Sequence, residues 1–153
     1  MTVLSVEIVE VVPQRRRGHW YYFEHNSEFR APWWGRDQSS GSEYRWISIS
    51  RGAVEVARCK FSLYVDSPYE AAFGSMADGH LDILALEVAR SQRRMGIGRA
   101  TLLALRQKYP KQRFTSLNDN ATSRGFWDSV GWVRYETSHP LLSKSERVNY
   151  SEV

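Results

Sequence analysis

A mixed sheet with helices packed on it is the fold class this sequence predicts, and three observations predict it. Apolar and polar residues alternate through much of the first half of the chain, as half-buried strands require. Residues 81–89, LDILALEVA, are almost continuously apolar, the pattern of a central strand covered on both faces. Directly after them the spacing turns helical, so a strand meander gives way to strand, helix, strand, helix, strand.

Taken in order, residues 4–12 set Leu4, Val6 and Ile8 against Ser5 and Glu7, a strand period. Residues 13–42 hold RRR, HWYYF, APWWG and SSGS without a clean period and read as short helix and loop. YRWISIS and AVEVARCKFSLYV read as two strands joined across Arg51 and Gly52. Within the second, the apolar parity moves from Val54 and Val56 to Ala57, Cys59, Phe61 and Leu63, which suggests a bulge near Ala57. Residues 66–80 connect, broken by Pro68, Gly74 and Gly79, and residues 81–89 form the central strand. A helix over residues 98–109 carries Leu102, Leu105 and Tyr109 on one side and stops before Pro110. RFTSLN is a strand, Asn120 can cap a helix over residues 121–130, GWVRYE is a strand, and RVNY in the tail supplies one more.

A chain of 153 residues supports one domain, 1–153, with a sizeable core. Hydrophobic residues at 42% and charged residues at 25% suggest neither a disordered nor a membrane-spanning chain. No run of 18 apolar residues or leader-like start is present, so a cytoplasmic location is expected. The lone Cys59, in an apolar alternating run, reads as a small buried hydrophobe, and four scattered histidines give no metal-ligand spacing. A formal charge of +4 favours an anionic partner, which nucleic acid or a phosphate-rich cosubstrate satisfies equally.

The segment RSQRRMGIGRA joins the central strand to the helix. A helix N-terminus leaves its first amides without intrahelical acceptors and attracts anions. Gly96 and Gly98 would let a phosphate approach the backbone, while Arg93, Arg94 and Arg99 add charge around Met95 and Ile97. Two common phosphate motifs fit poorly: Thr101 stands where GxGxxG needs its last glycine, and no GK pair is present.

Val88 followed by RxxGxG over residues 93–98 resembles the pyrophosphate loop of the acetyl-CoA-dependent N-acetyltransferase (GNAT) superfamily. A second stretch, NATSRGFWDSVGW over residues 120–132, is similar to that family's NxxAxxLYEKLGF pattern at the same spacing. Asn120 takes the asparagine place, Ser123 the alanine, Phe126 the leucine, Trp127 the tyrosine, Gly131 the glycine and Trp132 the last aromatic. The resemblance implies an α/β (α+β) fold with a mixed, mostly antiparallel sheet, splayed central strands and helices on both faces. It implies acetyl-CoA as acyl donor, its pantetheine arm between LDILALEVA and RFTSLN. Backbone groups of Leu86, Glu87 and Val88 would meet the pantetheine amides. Residues 93–99, namely Arg93, Arg94, Met95, Gly96, Ile97, Gly98 and Arg99, would hold the pyrophosphate, with Asn120 and Trp127 also at the cosubstrate. The resemblance further implies an amine acceptor and a homodimer; composition and the lack of metal-ligand spacing lead to the expectation of no membrane association and no metal.

An amine acceptor is neutral for about one molecule in 2,500 at pH 7, so attack on a thioester needs a base or a proton-carrying water. Asp82 occupies the place, six residues before Val88, where some members of the family carry a glutamate base, and it shares strand parity with Leu84, Leu86 and Val88. The alternative is that Asp82 only caps the strand. His80 is a second base candidate, and Glu87 points to the opposite face by parity. Trp127 departs from the family's tyrosine, because an indole has no readily transferred proton; Tyr135 or another tyrosine could substitute.

The acceptor half is less familiar. RRRGHWYYF sets three cations beside four aromatics, with Trp33 and Trp34 following. These rings read as core or pocket walls with solvated arginines, while stacking on nucleic-acid bases is the competing reading. A nucleic-acid-binding or nucleic-acid-modifying protein on the same fold, and a non-catalytic CoA binder, thus stand beside the acetyltransferase reading.

Overall fold

The computed structural model describes residues 4–30, 43–64, 78–119, 121–135 and 148–152. The expectations for Trp33, Trp34, Asn120 and the connection through Gly74 lie outside these residues. The fold divides into two compact units, Met1–Phe61 with Ala85–Pro110, and Ser62–Leu84 with Lys111–Val153. Two strands, β5 (Val54–Tyr64) and β6 (His80–Val88), run from one unit into the other.

In the first unit the strand order is β1 (Glu7–Glu10), β4 (Tyr44–Arg51), β5 and β6. β1 pairs antiparallel with β4 over Glu7↔Ser50 to Glu10↔Ile47. Leu4, Val6 and Ile8 are half-buried and Ser5 and Glu7 exposed, as the alternation requires. The β4–β5 turn centres on Gly52, whose φ of 64 is left-handed, which few residues adopt easily. Val56, Ala57, Arg58 and Cys59 are all buried, so β5 loses its alternation where both faces are covered. Burial also raises the Cys59 thiol, which keeps it protonated and inert as expected.

Residues 14–21 are a correction. The sequence reads there as helix and loop; the chain forms a two-stranded antiparallel ribbon, β2 (Gln14–Arg16) and β3 (His19–Tyr21). Its strands are three residues long and largely exposed, so no apolar alternation marks them. Of the rings in RRRGHWYYF, Phe23 is buried as expected and Tyr21 and Tyr22 are half-buried, but Trp20 is 46% exposed. Phe23, Phe29 and Trp46 are buried with Ala89, and Tyr22 stacks on Trp46 at 3.8 Å. Arg58 lies in this cluster with its guanidinium 4.7 Å from the Phe23 ring and 4.2 Å from Phe29, its charge met by Glu55 at 2.9 Å. A buried guanidinium is tolerable only when so paired.

The first helix, α1 (Ile97–Lys108), buries Ile97, Ala100, Leu102 and Leu105, and the Tyr109 amide closes it on the Leu105 carbonyl at 2.8 Å. It begins one residue before the expected Gly98. Between β6 and α1 a short 3-10 turn, Arg90–Gln92, has no sequence signal.

The second unit orders β6, β7 (Arg113–Asp119), β9 (Val148–Ser151) and β8 (Val133–Tyr135). β6 and β7 are parallel, with His80↔Arg113, Leu81↔Phe114 and Asp82↔Thr115 as partners. Ile83 and Ser116 follow with a side-chain contact, the Ser116 hydroxyl donating to the Ile83 carbonyl at 3.3 Å. β9 runs antiparallel to both β7 and β8, its pairing with β7 shifting register between Ser116 and Asp119. All other pairings with a stated direction are antiparallel, so the sheet is mixed and mostly antiparallel as expected.

β6 itself differs from the expectation of a strand buried throughout. Residues 80–83 are buried, but Leu84 is exposed and residues 85–88 only half-buried. Continuous apolarity therefore marks full burial in the first half alone. The second helix, α2 (Ala121–Ser129), ends where the Trp132 amide reaches back to the Trp127 carbonyl and the Gly131 amide to Asp128, both at 3.1 Å. This is a Schellman motif, and Gly131, with φ of 81, supplies its left-handed residue.

Candidate active site

The loop before α1 is built from two left-handed residues, Arg94 with φ of 63 and Gly96 with φ of 80. Gly96 is the N-cap of α1, and a Cβ there would lie 3.4 Å from Leu4 Cδ1, so backbone angle more than space demands glycine. The helix start has no side-chain cap and no acidic residue in its first turn. Arg94, Met95, Gly96 and Arg99 are exposed, whereas Ile97 and Gly98 are buried. Gly98 sits inside the helix without a positive φ, so its role is not to permit a left-handed turn. Positive side chains and orphan amides thus share the positive end of a helix dipole, an arrangement that an anion would relieve.

Residues 86–88 precede this loop, all half-buried. Glu87 is paired, as its parity suggested: Oε2 accepts the Arg30 amide at 3.0 Å and lies 3.7 Å from Arg93 Nη2. Arg93 also donates from Nε to the Val88 carbonyl at 3.3 Å. Arg93 is therefore turned back along the strand end. The turn after β6 is fastened from the N-terminal half of the chain by Glu28, a residue sequence reasoning missed. Its carboxylate accepts the Ser91 amide at 2.8 Å and its carbonyl the Arg90 amide at 3.1 Å. The Ser91 amide holds the Glu28 carboxyl below its ordinary range. No local pattern marks Glu28, since its partner lies 63 residues away.

In the second unit Asp82 is buried, and its Oδ1 accepts the Thr115 hydroxyl at 2.8 Å. The same hydroxyl meets His80 Nε2, and Asp82 and Thr115 are cross-strand partners. Thr115 has one proton. If it donates to an ionised Asp82, His80 must be the donor to Thr115, a neutral imidazole carrying its proton on Nε2. Burial first, and the Arg113 charge second, push His80 down to about 4, which agrees with that neutral form. The three side chains make one hydrogen-bonded line, His80 to Thr115 to Asp82.

The acetyltransferase (GNAT) family profile matches residues 15–132 of the chain. The chain belongs to the GNAT acetyltransferase family. Solved structures agree in fold. An acetyltransferase from Thermus thermophilus superposes with a TM-score of 0.50 at 13% identity, over 72% of this chain and 63% of that one. The Bacillus subtilis N-acetyltransferase YlbP, solved with coenzyme A, gives 0.50 at 19% identity over 71% of this chain and 70% of that one. The match thus spans less than two thirds of the Thermus chain. A search of curated proteins gives no match.

Within this GNAT chain the departure at Trp127 has a definite setting. The ring is 3% exposed, stacks on Trp132 at 4.4 Å and meets Phe126 edge-on at 4.8 Å. Its Nε1 is buried without a hydrogen-bond partner among the described residues. An indole N–H donates a hydrogen bond but does not release its proton. Two tyrosine hydroxyls of this unit are engaged with other side chains. Tyr135 accepts from Arg113 Nη2 at 3.1 Å. Tyr150 donates to Asp128 at 3.2 Å, and burial raises its hydroxyl above the ordinary range.

Proposed function

We propose that the chain transfers an acetyl group from acetyl-CoA to an amine acceptor, residues 1–153 acting as one acyltransferase domain. The observation that carries this reading is the start of α1: no side-chain cap, no acid in the first turn, a left-handed Gly96 as N-cap and the cations Arg94 and Arg99 beside the first helical amides. A diphosphate would add negative charge where the helix dipole favours it. Backbone groups of Leu86, Glu87 and Val88 would bond the pantetheine amides. Arg93 already donates to the Val88 carbonyl and would exchange that contact for a phosphate. Asn120, by its place in the family motif, and Trp127 would complete the cosubstrate contacts.

In the reaction the amine nitrogen forms a bond to the acetyl carbon, the carbon–sulfur bond breaks and the thiolate leaves. The amine proton passes to a base, for which Asp82 is the candidate, with Thr115 and His80 holding its carboxylate. The buried Trp127 N–H would hydrogen-bond the departing sulfur, and solvent would supply the proton. Thiol release from acetyl-CoA across a panel of small and peptidyl amines, with product masses recorded, tests the proposal. Amine-dependent release supports it. CoA binding without release for any amine would instead make the chain a non-catalytic CoA binder.

A further inference from the structure

The β2–β3 ribbon is not used by the acyl-transfer reading. Both ends are fastened to one core residue: the Val11 amide donates to the Trp46 carbonyl at 2.9 Å, and Tyr22 stacks on the Trp46 ring. Between these anchors the register is fixed, with Gln14↔Tyr21, Arg15↔Trp20 and Arg16↔His19 as partners. Cross-strand partners share a face, so Arg15 and Trp20 stand together, and the Arg15 guanidinium lies 5.9 Å from the Trp20 ring centre. Neighbouring positions face the other way, where Arg16 pairs with Glu24 at 3.2 Å.

Two features of this ribbon run against a purely structural role. Trp20 is 46% exposed, although its neighbours Tyr22 and Phe23 pack inward. Arg17 and Gly18 both have positive φ, 52 and 79, the pattern of a type I′ hairpin turn. Asn, Asp or Gly suits the first of those positions, yet a third consecutive arginine occupies it. The ribbon therefore holds a large exposed ring beside Arg15, with Arg17 at the tip, on a chain of net charge +4.

We propose that this ribbon docks single-stranded RNA, one base stacking on Trp20 while adjacent phosphates meet Arg15 and Arg17. An aromatic face beside cations is how unpaired strands are held without sequence readout. A duplex hides its base faces, whereas RNA loops and ends expose them to aromatic and guanidinium planes. A membrane surface fits less well, since the ribbon offers a single large exposed ring among charges rather than an apolar face. The proposal stands apart from acyl transfer and is tested without acetyl-CoA.

Fluorescence anisotropy of a labelled 12-nucleotide oligouridine, titrated with the full chain over a salt series, reads it directly. Trp20→Ala should weaken binding about 5- to 150-fold, and Trp20→Phe should retain most of it. Two phosphate contacts correspond to a slope of about −1.4 in log affinity against log salt, or about sevenfold between 50 and 200 mM. Arg15→Ser with Arg17→Ser should remove that part of the slope. An RNA duplex should bind more weakly than the single strand. Equal binding by Trp20→Ala, an unchanged slope in the double variant, or preference for duplex, polyglutamate or phosphatidylserine vesicles would each overturn it. Should Trp20→Ala fail to fold, as circular dichroism would reveal, Trp20→Phe and the double arginine variant decide.

Discussion

Asp82 has two possible occupations, base and strand-end cross-link, and one substitution separates them. Asn in its place can still accept the Thr115 hydroxyl but cannot take a proton. Asp82→Asn should therefore lower kcat by about 10²- to 10⁴-fold with CoA affinity unchanged. Steady-state rates beside a CoA titration check this, and unchanged turnover would leave Asp82 with a structural role only. His80 makes a separate prediction. Its folded-state pKa of about 4 lies below the ordinary value of 6.5, so between these limits the unfolded chain binds the extra proton. The stability it contributes is complete above pH 6.5 and is lost as pH falls toward 4. Thermal unfolding of His80→Gln should lose that part of the acid dependence; an identical pH profile for the variant would contradict it. In the sequence Asp82 was marked by its place in the family resemblance, six residues before Val88, with strand parity in support. Its partner Thr115 was not, because only the parallel register of β6 with β7 sets them opposite each other.

At the scale of elements, the two family motifs correspond to two helix ends with different physics. At the end of α2, Gly131 is left-handed and a Cβ there would meet nothing within 4 Å. Gly131→Ala should then cost about 1–2 kcal/mol through backbone strain alone, read by denaturant unfolding; a neutral result would remove the Schellman account. At the start of α1 charge and dipole are opposed. Arg99→Glu places an acid in the first turn, which the dipole favours by about 0.3–1 kcal/mol, against the loss of the interaction that Arg99 already makes. A fall in thermal stability would mean that Arg99 serves the fold. α1 and the principal strands were readable because their apolar periods are long, whereas α2 was read from a capping Asn120 and the pair Phe126 and Val130. The β2–β3 ribbon was not readable, because strands of three largely exposed residues carry no period and its turn uses an arginine where glycine or asparagine is the usual signal.

For the whole molecule, a net charge of +4 favours an anionic partner, and the proposed cosubstrate is one. Composition left open whether that anion is a cosubstrate phosphate or a nucleic acid, and the arginines divide the question by location. Arg93, Arg94 and Arg99 surround the start of α1, whereas Arg15 and Arg17 belong to a separate ribbon. What composition and spacing could not disclose is how discontinuous segments combine, since each compact unit is assembled from two stretches of chain. Calorimetric titration with CoA, on the wild type and on Arg99→Glu, tests the central claim most directly. The account predicts saturable binding of one CoA per wild-type chain, weakened at least about tenfold in the variant, whose fold is retained. Absence of binding to the wild type, or equal affinity in both proteins, would contradict a diphosphate held at the start of α1.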